Sequence, residues 1–396
     1  MQNCKQQYRK EGHFTMRDKF VYAPGPTSVR ENVRLERTKS TTNPDVDEEF
    51  VEFYKNTCDK IGNIINTNNS VYILSGEGIL GLEAACASLT EPGDRVLILD
   101  NGIYGRGFKD FALMYGGEGV YFSDDYSKAI DVKKLSKFLE NDHDFKYATI
   151  VHCDTPTGVL NDLSEICPIL NEYGILSVVD SVSAMGGEEI RVDDWKIDIA
   201  LGGSQKAFSA PTGLTMVSIS ERAKDIMKNR KTPVVGFYCN LNIWENYYRD
   251  KWFPYTMPIS DIMALSKACD NILEEGIENV LNRHEKIATA TRKAVTEYGL
   301  QLFLDEGYSN TVTAVNIPEN IGALNLKNHM LSKYNSLIIT SLKPYEDTIL
   351  RIGHMGENAK IEKIVYALNT IDKGLKDLGF KSDKELVGLF NKHLED

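Results

Sequence analysis

Between Asp47 and Ile65, apolar residues recur at Phe50, Phe53, Tyr54, Ile61, Ile64 and Ile65, a helical spacing. Asn43-Pro44-Asp45 supplies the start signal in front of it. Beyond this stretch the texture alternates. Short apolar runs at 71–74, 95–99, 120–122, 147–152, 175–179, 197–201 and 214–219 predict strands, while 79–89, 108–115, 131–139 and 163–173 carry helical spacing. The strand runs lack strict period-2 alternation, which predicts a mostly parallel sheet with helices on both faces. After Pro258 the pattern changes. A long helical stretch over 259–298, kinked near Glu275-Gly276, precedes strand-like pieces at 311–317 and 336–340 and helices at 326–334 and 361–378. The expected architecture is α/β, with a large domain over 21–265 and a smaller α+β C-terminal domain over 266–396. Residues 1–20 form an N-terminal extension that is polar and basic and need not be ordered.

Chemistry-bearing residues gather where the strand runs stop, and ligands in such sheets bind beyond the carboxyl ends of the strands. The run 175–179 ends at Asp180, and the run 197–201 leads through Gly202-Gly203-Ser204-Gln205 into Lys206. A carboxylate and an amine delivered to one rim suit pyridoxal phosphate. The amine forms a Schiff base with the aldehyde, and the carboxylate keeps the pyridine nitrogen protonated. Either residue alone has an ordinary alternative, a turn aspartate or a solvated surface lysine. Ser75-Gly76-Glu77-Gly78-Ile79 lies between a strand and a helix, where backbone amides hold an anion, although a plain tight turn reads the same way. Glu77 is an awkward neighbour for a dianion, so its side chain is expected to point away. Tyr104 is placed to stack on a flat ring or to pack as an ordinary rim aromatic. Thr155, in His152-Cys153-Asp154-Thr155-Pro156-Thr157-Gly158, offers a rim hydroxyl or belongs to a turn. His152 reads as a satisfied structural histidine. In Leu350-Arg351-Ile352-Gly353 the guanidinium suits a carboxylate clamp, or an ordinary surface position.

Composition narrows the classes. At 396 residues the chain is long enough for two domains, and a net charge of −12 argues against a general nucleic-acid binder. No apolar run approaches a membrane span, and the first residues lack a signal peptide's hydrophobic region. Seven scattered cysteines, an odd number with no Cys-x-x-Cys pair, suit a reducing cytoplasmic setting without disulfides or a zinc site. The histidines show no metal-ligand spacing.

Taken together, these segments resemble a fold-type I, class V pyridoxal-phosphate aminotransferase of the alanine–glyoxylate / serine–pyruvate group. The resemblance runs from Tyr22-Ala23-Pro24-Gly25-Pro26 to Arg351-Ile352-Gly353. It is most specific over Val179-Asp180-Ser181-Val182-Ser183-Ala184-Met185-Gly186-Gly187, Gly203-Ser204-Gln205-Lys206-Ala207 and Pro211-Thr212-Gly213-Leu214. The resemblance implies that Lys206 is the Schiff-base lysine and proton shuttle, Asp180 the partner of the pyridinium, and Val182 the ring-packing residue. It further implies a phosphate held by Glu77, Gly78, Ile79 and Gln205, with Tyr104 and Thr155 beside the ring. Arg351 would clamp the substrate carboxylate, and Pro24 and Gly25 would line the substrate pocket. Relatives are homodimers, so Thr256 of a neighbouring subunit would touch the phosphate; Phe253 stands where relatives often carry a tyrosine that does so. The implied activity is ping-pong amino transfer from alanine or serine to glyoxylate or pyruvate. A 2-aminoethylphosphonate–pyruvate aminotransferase and a non-catalytic cofactor-binding protein stay open beside it. Cysteine desulfuration fits poorly, because no cysteine follows Cys269.

Overall fold

The computed structural model describes residues 19–395, so the expectation for 1–18 lies outside the described residues. Seven strands form the central sheet: β1 (Ser70–Ser75), β2 (Arg95–Asp100), β3 (Glu118–Ser123), β4 (Tyr147–Val151), β5 (Leu176–Asp180), β6 (Ile199–Gly203) and β7 (Leu214–Ile219). Their spatial order is β1-β7-β6-β5-β4-β2-β3. All neighbours run parallel except around β7, which is antiparallel to both β1 and β6. Every residue of β4, β5, β6 and β7 is buried. Side chains alternate along a strand, so complete burial means that both faces are covered. Helix Gly78–Leu89 lies against β6 and β7, and helix Ile103–Met114 against β2 and β3. This is the fold expected from the unbroken apolar runs.

The long helical stretch is two helices, Ile259–Glu275 and Ile277–Tyr298, hinged at Gly276 with φ +85°. A side chain is strained at that dihedral, which is why the kink falls on the glycine. Beyond it, Gln301–Leu302, Val312–Asn316, Ile349–Gly353 and Ile339–Thr340 form a four-stranded antiparallel sheet in that order. One buried core contains the central sheet and extends to Val280, and a second begins at Ile287. The single strand expected at 336–340 is two pieces. Ser336–Leu337 pairs with Phe20–Val21, whereas Ile339–Thr340 pairs with Ile349–Gly353, the chain changing partners at the buried Ile338.

The segment after Phe20 ties the two parts together. The amide of Tyr22 donates to the carbonyl of Leu337, its own carbonyl accepts from Gly353, and Thr27 bonds the backbone of the Lys206 loop. Among the described residues no helix is long and apolar enough to cross a membrane, and no cluster of His, Cys, Asp and Glu is arranged to hold a metal.

Candidate active site

The carboxyl ends of the parallel strands form one rim. Asp180 closes β5, and register sets it beside Val151 of β4 and Leu201 of β6. Lys206 follows β6 by three residues, in a loop pinned by bonds from Thr27 Oγ1 to the Lys206 carbonyl (3.0 Å) and to Ser209 Oγ (2.9 Å). A cavity of about 360 Å³ opens there. It brings together Asp180, Val182 and Lys206 with Glu77, Gly78 and Ile79; Tyr104, Gln205 and Gly25 also line it.

Small residues shape the floor. A Cβ on Gly78 would stand 2.8 Å from Val182 Cγ2, and one on Gly203 would stand 3.0 Å from Val182 Cγ1. Val182 therefore presents an aliphatic face to the cavity between two bare backbones. Gly25 has φ +85°, and a Cβ there would lie 2.4 Å from Lys206 Cδ. That approach lets Lys206 Nζ donate to the Pro24 carbonyl at 2.8 Å. Pro24 itself is buried behind this contact and does not line the cavity.

Electrostatics separate the two central groups. Burial pushes the Asp180 carboxyl up to about 6, against the pull of Lys206 and of the Val182 amide it accepts at 2.9 Å. Burial also lowers the Lys206 amine, and the charge of Arg351 lowers it further. Asp180 is an acceptor in search of a buried cation, and Lys206 is an amine eased toward its neutral, nucleophilic form.

Arg351 and Thr155 stand one step behind the lining. Arg351 is 5% exposed; its Nε donates to the Thr340 carbonyl at 3.0 Å and its Nη1 to the Thr155 carbonyl at 3.3 Å. Among the described residues it forms no ion pair, and burial lowers its pKa. The Thr155 hydroxyl bonds Ser183 Oγ, and it is Ser183 that reaches the cavity. Thr256 is exposed, bonds Asp45 Oδ2 at 3.0 Å, and does not line the cavity of its own chain.

Glu77 corrects an expectation. Its side chain does not point away; it caps helix Gly78–Leu89, with Oε1 accepting from the Ile79 amide at 3.1 Å and Oε2 from Gln205 Nε2 at 3.3 Å. The first amides of a helix lack internal partners and sit at the positive dipole end, so a carboxylate in reach takes one.

Two residues have roles that the sequence did not assign to them. Ser183 is one. Asp154 is the other: fully buried, it accepts from the Tyr104 amide at 2.7 Å and from Thr157 Oγ1 at 2.9 Å. It thereby caps helix Ile103–Met114, which starts five residues before the apolar spacing suggested. A Cβ on Gly102 would stand 2.3 Å from its carboxyl carbon, so that glycine was the available signal. His152 is buried and bonds Ser181 Oγ at 2.9 Å, a structural role.

Compared with known proteins, residues 24–341 match the model of the aminotransferase class-V family. The chain is 34% identical over 340 residues to a pyridoxamine–pyruvate transaminase of Mesorhizobium japonicum, spanning 85% of this chain and 86% of that one. It is 33% identical over 365 residues to an uncharacterised aminotransferase of Methanocaldococcus jannaschii, spanning 92% and 94%. The solved structure of a ureidoglycine–glyoxylate aminotransferase from Bacillus subtilis matches with a TM-score of 0.93 at 26% identity, over 97% of this chain and 100% of that one.

Proposed function

The chain belongs to the class-V aminotransferases, a family dependent on pyridoxal 5′-phosphate, and from that premise we propose that it moves an amino group between alanine or serine and glyoxylate or pyruvate. The observation that carries this reading is Arg351. A guanidinium withdrawn from water, with no carboxylate partner and its plane set by two carbonyls, is prepared for a small substrate's carboxylate. Glyoxylate and pyruvate also appear in the names of two relatives above.

The ring end of the site fits the cofactor. Asp180 is a buried carboxylate without an ion pair among the described residues, suited to a pyridinium nitrogen, and Val182 offers a flat apolar seat. When bound, the cofactor supplies an aldehyde for the amino group and an electron-poor ring for the electrons left by the α-proton. The chain's own residues do the rest. Arg351 fixes the substrate carboxylate, and Lys206 Nζ, released from the Pro24 carbonyl, is the base that carries the α-proton. Asp180 keeps its counter-charge at the ring nitrogen throughout.

The same reading carries a homodimer and a cytoplasmic setting. Ile79 and Tyr104 at the cavity, with Phe237 and Trp252 elsewhere, leave apolar surface exposed for a second copy to cover. A second reading has pyridoxamine as the amino donor, as the name of the Mesorhizobium relative states for that protein; the position of Glu77 is the specific observation in its favour. A half-reaction screen of the loaded protein, followed by absorbance, tests the main reading. Alanine and serine are expected to convert it. Conversion by 2-aminoethylphosphonate alone would overturn the assignment.

A further inference from the structure

The cavity end occupied by Glu77 holds a carboxylate where a phosphate is expected. Two of the groups expected to hold a phosphate there, the Ile79 amide and Gln205 Nε2, already donate to the Glu77 carboxylate, so that of the expected donors on this chain only the Gly78 amide is not engaged by it. A carboxylate only accepts, so it fixes the Gln205 amide with Nε2 toward Glu77 and Oε1 away. Gln205 is 5% exposed, and that buried Oε1 has no hydrogen-bond partner. The two positions expected to face the phosphate from a neighbouring subunit offer no free hydroxyl either. Phe253 has no hydroxyl and is packed among Phe50, Tyr54 and Tyr247, while Thr256 gives its hydroxyl to Asp45. Among the described residues lining the cavity, Lys206 is the one cation, and it is turned to Pro24.

A phosphate dianion brings acceptors and negative charge, and needs donors and cations. Here it meets the Glu77 carboxylate. A hydroxymethyl group is neutral and brings a hydroxyl proton that the Glu77 carboxylate can accept beside its present donors.

We propose that Glu77, held in place by Gln205, forms a receptor for the hydroxymethyl arm of unphosphorylated pyridoxal and pyridoxamine, which this chain takes up alongside the family's 5′-phosphate. The inference rests on the reading that the ring sits at Asp180 and Lys206, and it deepens the second reading above by naming the residues that select the arm. The amino transfer balances without any further reactant. The C4′–nitrogen bond of pyridoxamine breaks with uptake of water, a nitrogen–Cα bond forms on the 2-oxo acid with release of water, and the two electrons lost by C4′ reduce Cα.

The test is spectroscopic titration of cofactor-stripped protein with pyridoxal and, separately, with pyridoxal 5′-phosphate. In Glu77→Ala the ratio of the phosphate's Kd to that of pyridoxal is expected to fall by on the order of tenfold or more, because a like-charge contact is removed with a hydrogen-bond acceptor. A ratio unchanged within about threefold would overturn the proposal. Glu77→Gln, which keeps the shape and removes the charge, serves if the alanine variant fails to fold, and its ratio must fall as well. Amino transfer from alanine to glyoxylate by the phosphate-loaded wild type is measured in parallel. Loss of that activity with the binding ratio behaving as expected sinks the proposed reaction and leaves the arm receptor standing.

Discussion

Lys206 and Arg351 are both cations drawn out of solvent, yet the two parts of the molecule hold them differently. Lys206 leaves the rim of the central parallel sheet on a flexible stem and makes one contact, with the Pro24 carbonyl. Arg351 sits within a strand of the small antiparallel sheet, and two carbonyls clamp its guanidinium. Burial lowers both, but an amine can lose its proton near neutral pH and a guanidinium cannot. One position is built for a proton that moves, the other for a charge that stays.

Substitutions can break that contrast, starting with the movable proton. Lys206→Ala is expected to cut turnover by on the order of 10⁴-fold, since it removes both the nucleophile and the base. Near-normal steady-state transamination by the variant would refute the division of roles. Arg351→Lys keeps the charge and loses the planar fork. A fall of roughly ten- to a hundredfold in kcat/KM for the amino acid is expected, from loss of a charge-assisted hydrogen bond. If the fixed charge only binds substrate, most of that fall lies in KM; an equal fall in kcat would show that the anchor also shapes the transition state. Gly25→Ala should act mainly on the lysine, by pressing a methyl into Lys206 Cδ at a φ of +85°. About a tenfold loss of turnover is expected, with a lowered Tm, because side chains resist the left-handed region by ~1–2 kcal/mol. An unaffected KM for the amino acid would confirm that Arg351 is insulated from the change.

A further prediction concerns stability at Asp180 and sharpens the role of burial. Its folded-state pKa is raised, to about 6 from an ordinary 3.8, so the folded chain holds the proton more tightly than the unfolded one. Stability in the cofactor-stripped protein therefore falls as pH rises from about 4 to about 6 and is level above that, a loss of about 3 kcal/mol at most. Asp180→Asn should remove this slope. The stripped variant is expected to melt at or above the wild type at pH 7, with the difference closing below pH 4. A variant that melts lower at pH 7 would show that the Asp180 carboxylate is stabilised by its surroundings before the cofactor arrives.

Much of this was legible beforehand. Continuous apolar runs announce a two-sided sheet because each residue of such a strand meets a covered face, and β4 to β7 are buried throughout. The kink at Gly276 was legible for a backbone reason. Helices Glu221–Lys228 and Leu386–Glu395 were not singled out, being short and placed outside the alternating pattern. In the site, Asp180 and Lys206 could be found because strand ends converge in any such sheet. The buried cap by Asp154 could not, since it joins residues fifty positions apart.

What the chain by itself determined, then, is which residues reach the rim: periodicity sets where strands stop, and the residue after the stop inherits the position. What only the tertiary structure decided is the direction of each side chain there. Lys206 turns to Pro24 because the bare backbone of Gly25 comes close enough to receive it. Glu77 turns inward because a helix begins at Gly78 with an amide unpaired and Gln205 arrives from the turn after another strand to share the carboxylate. Hydrogen bonds are made to whatever partner is nearest in space, and nearness between residues far apart in sequence exists only once the chain has folded.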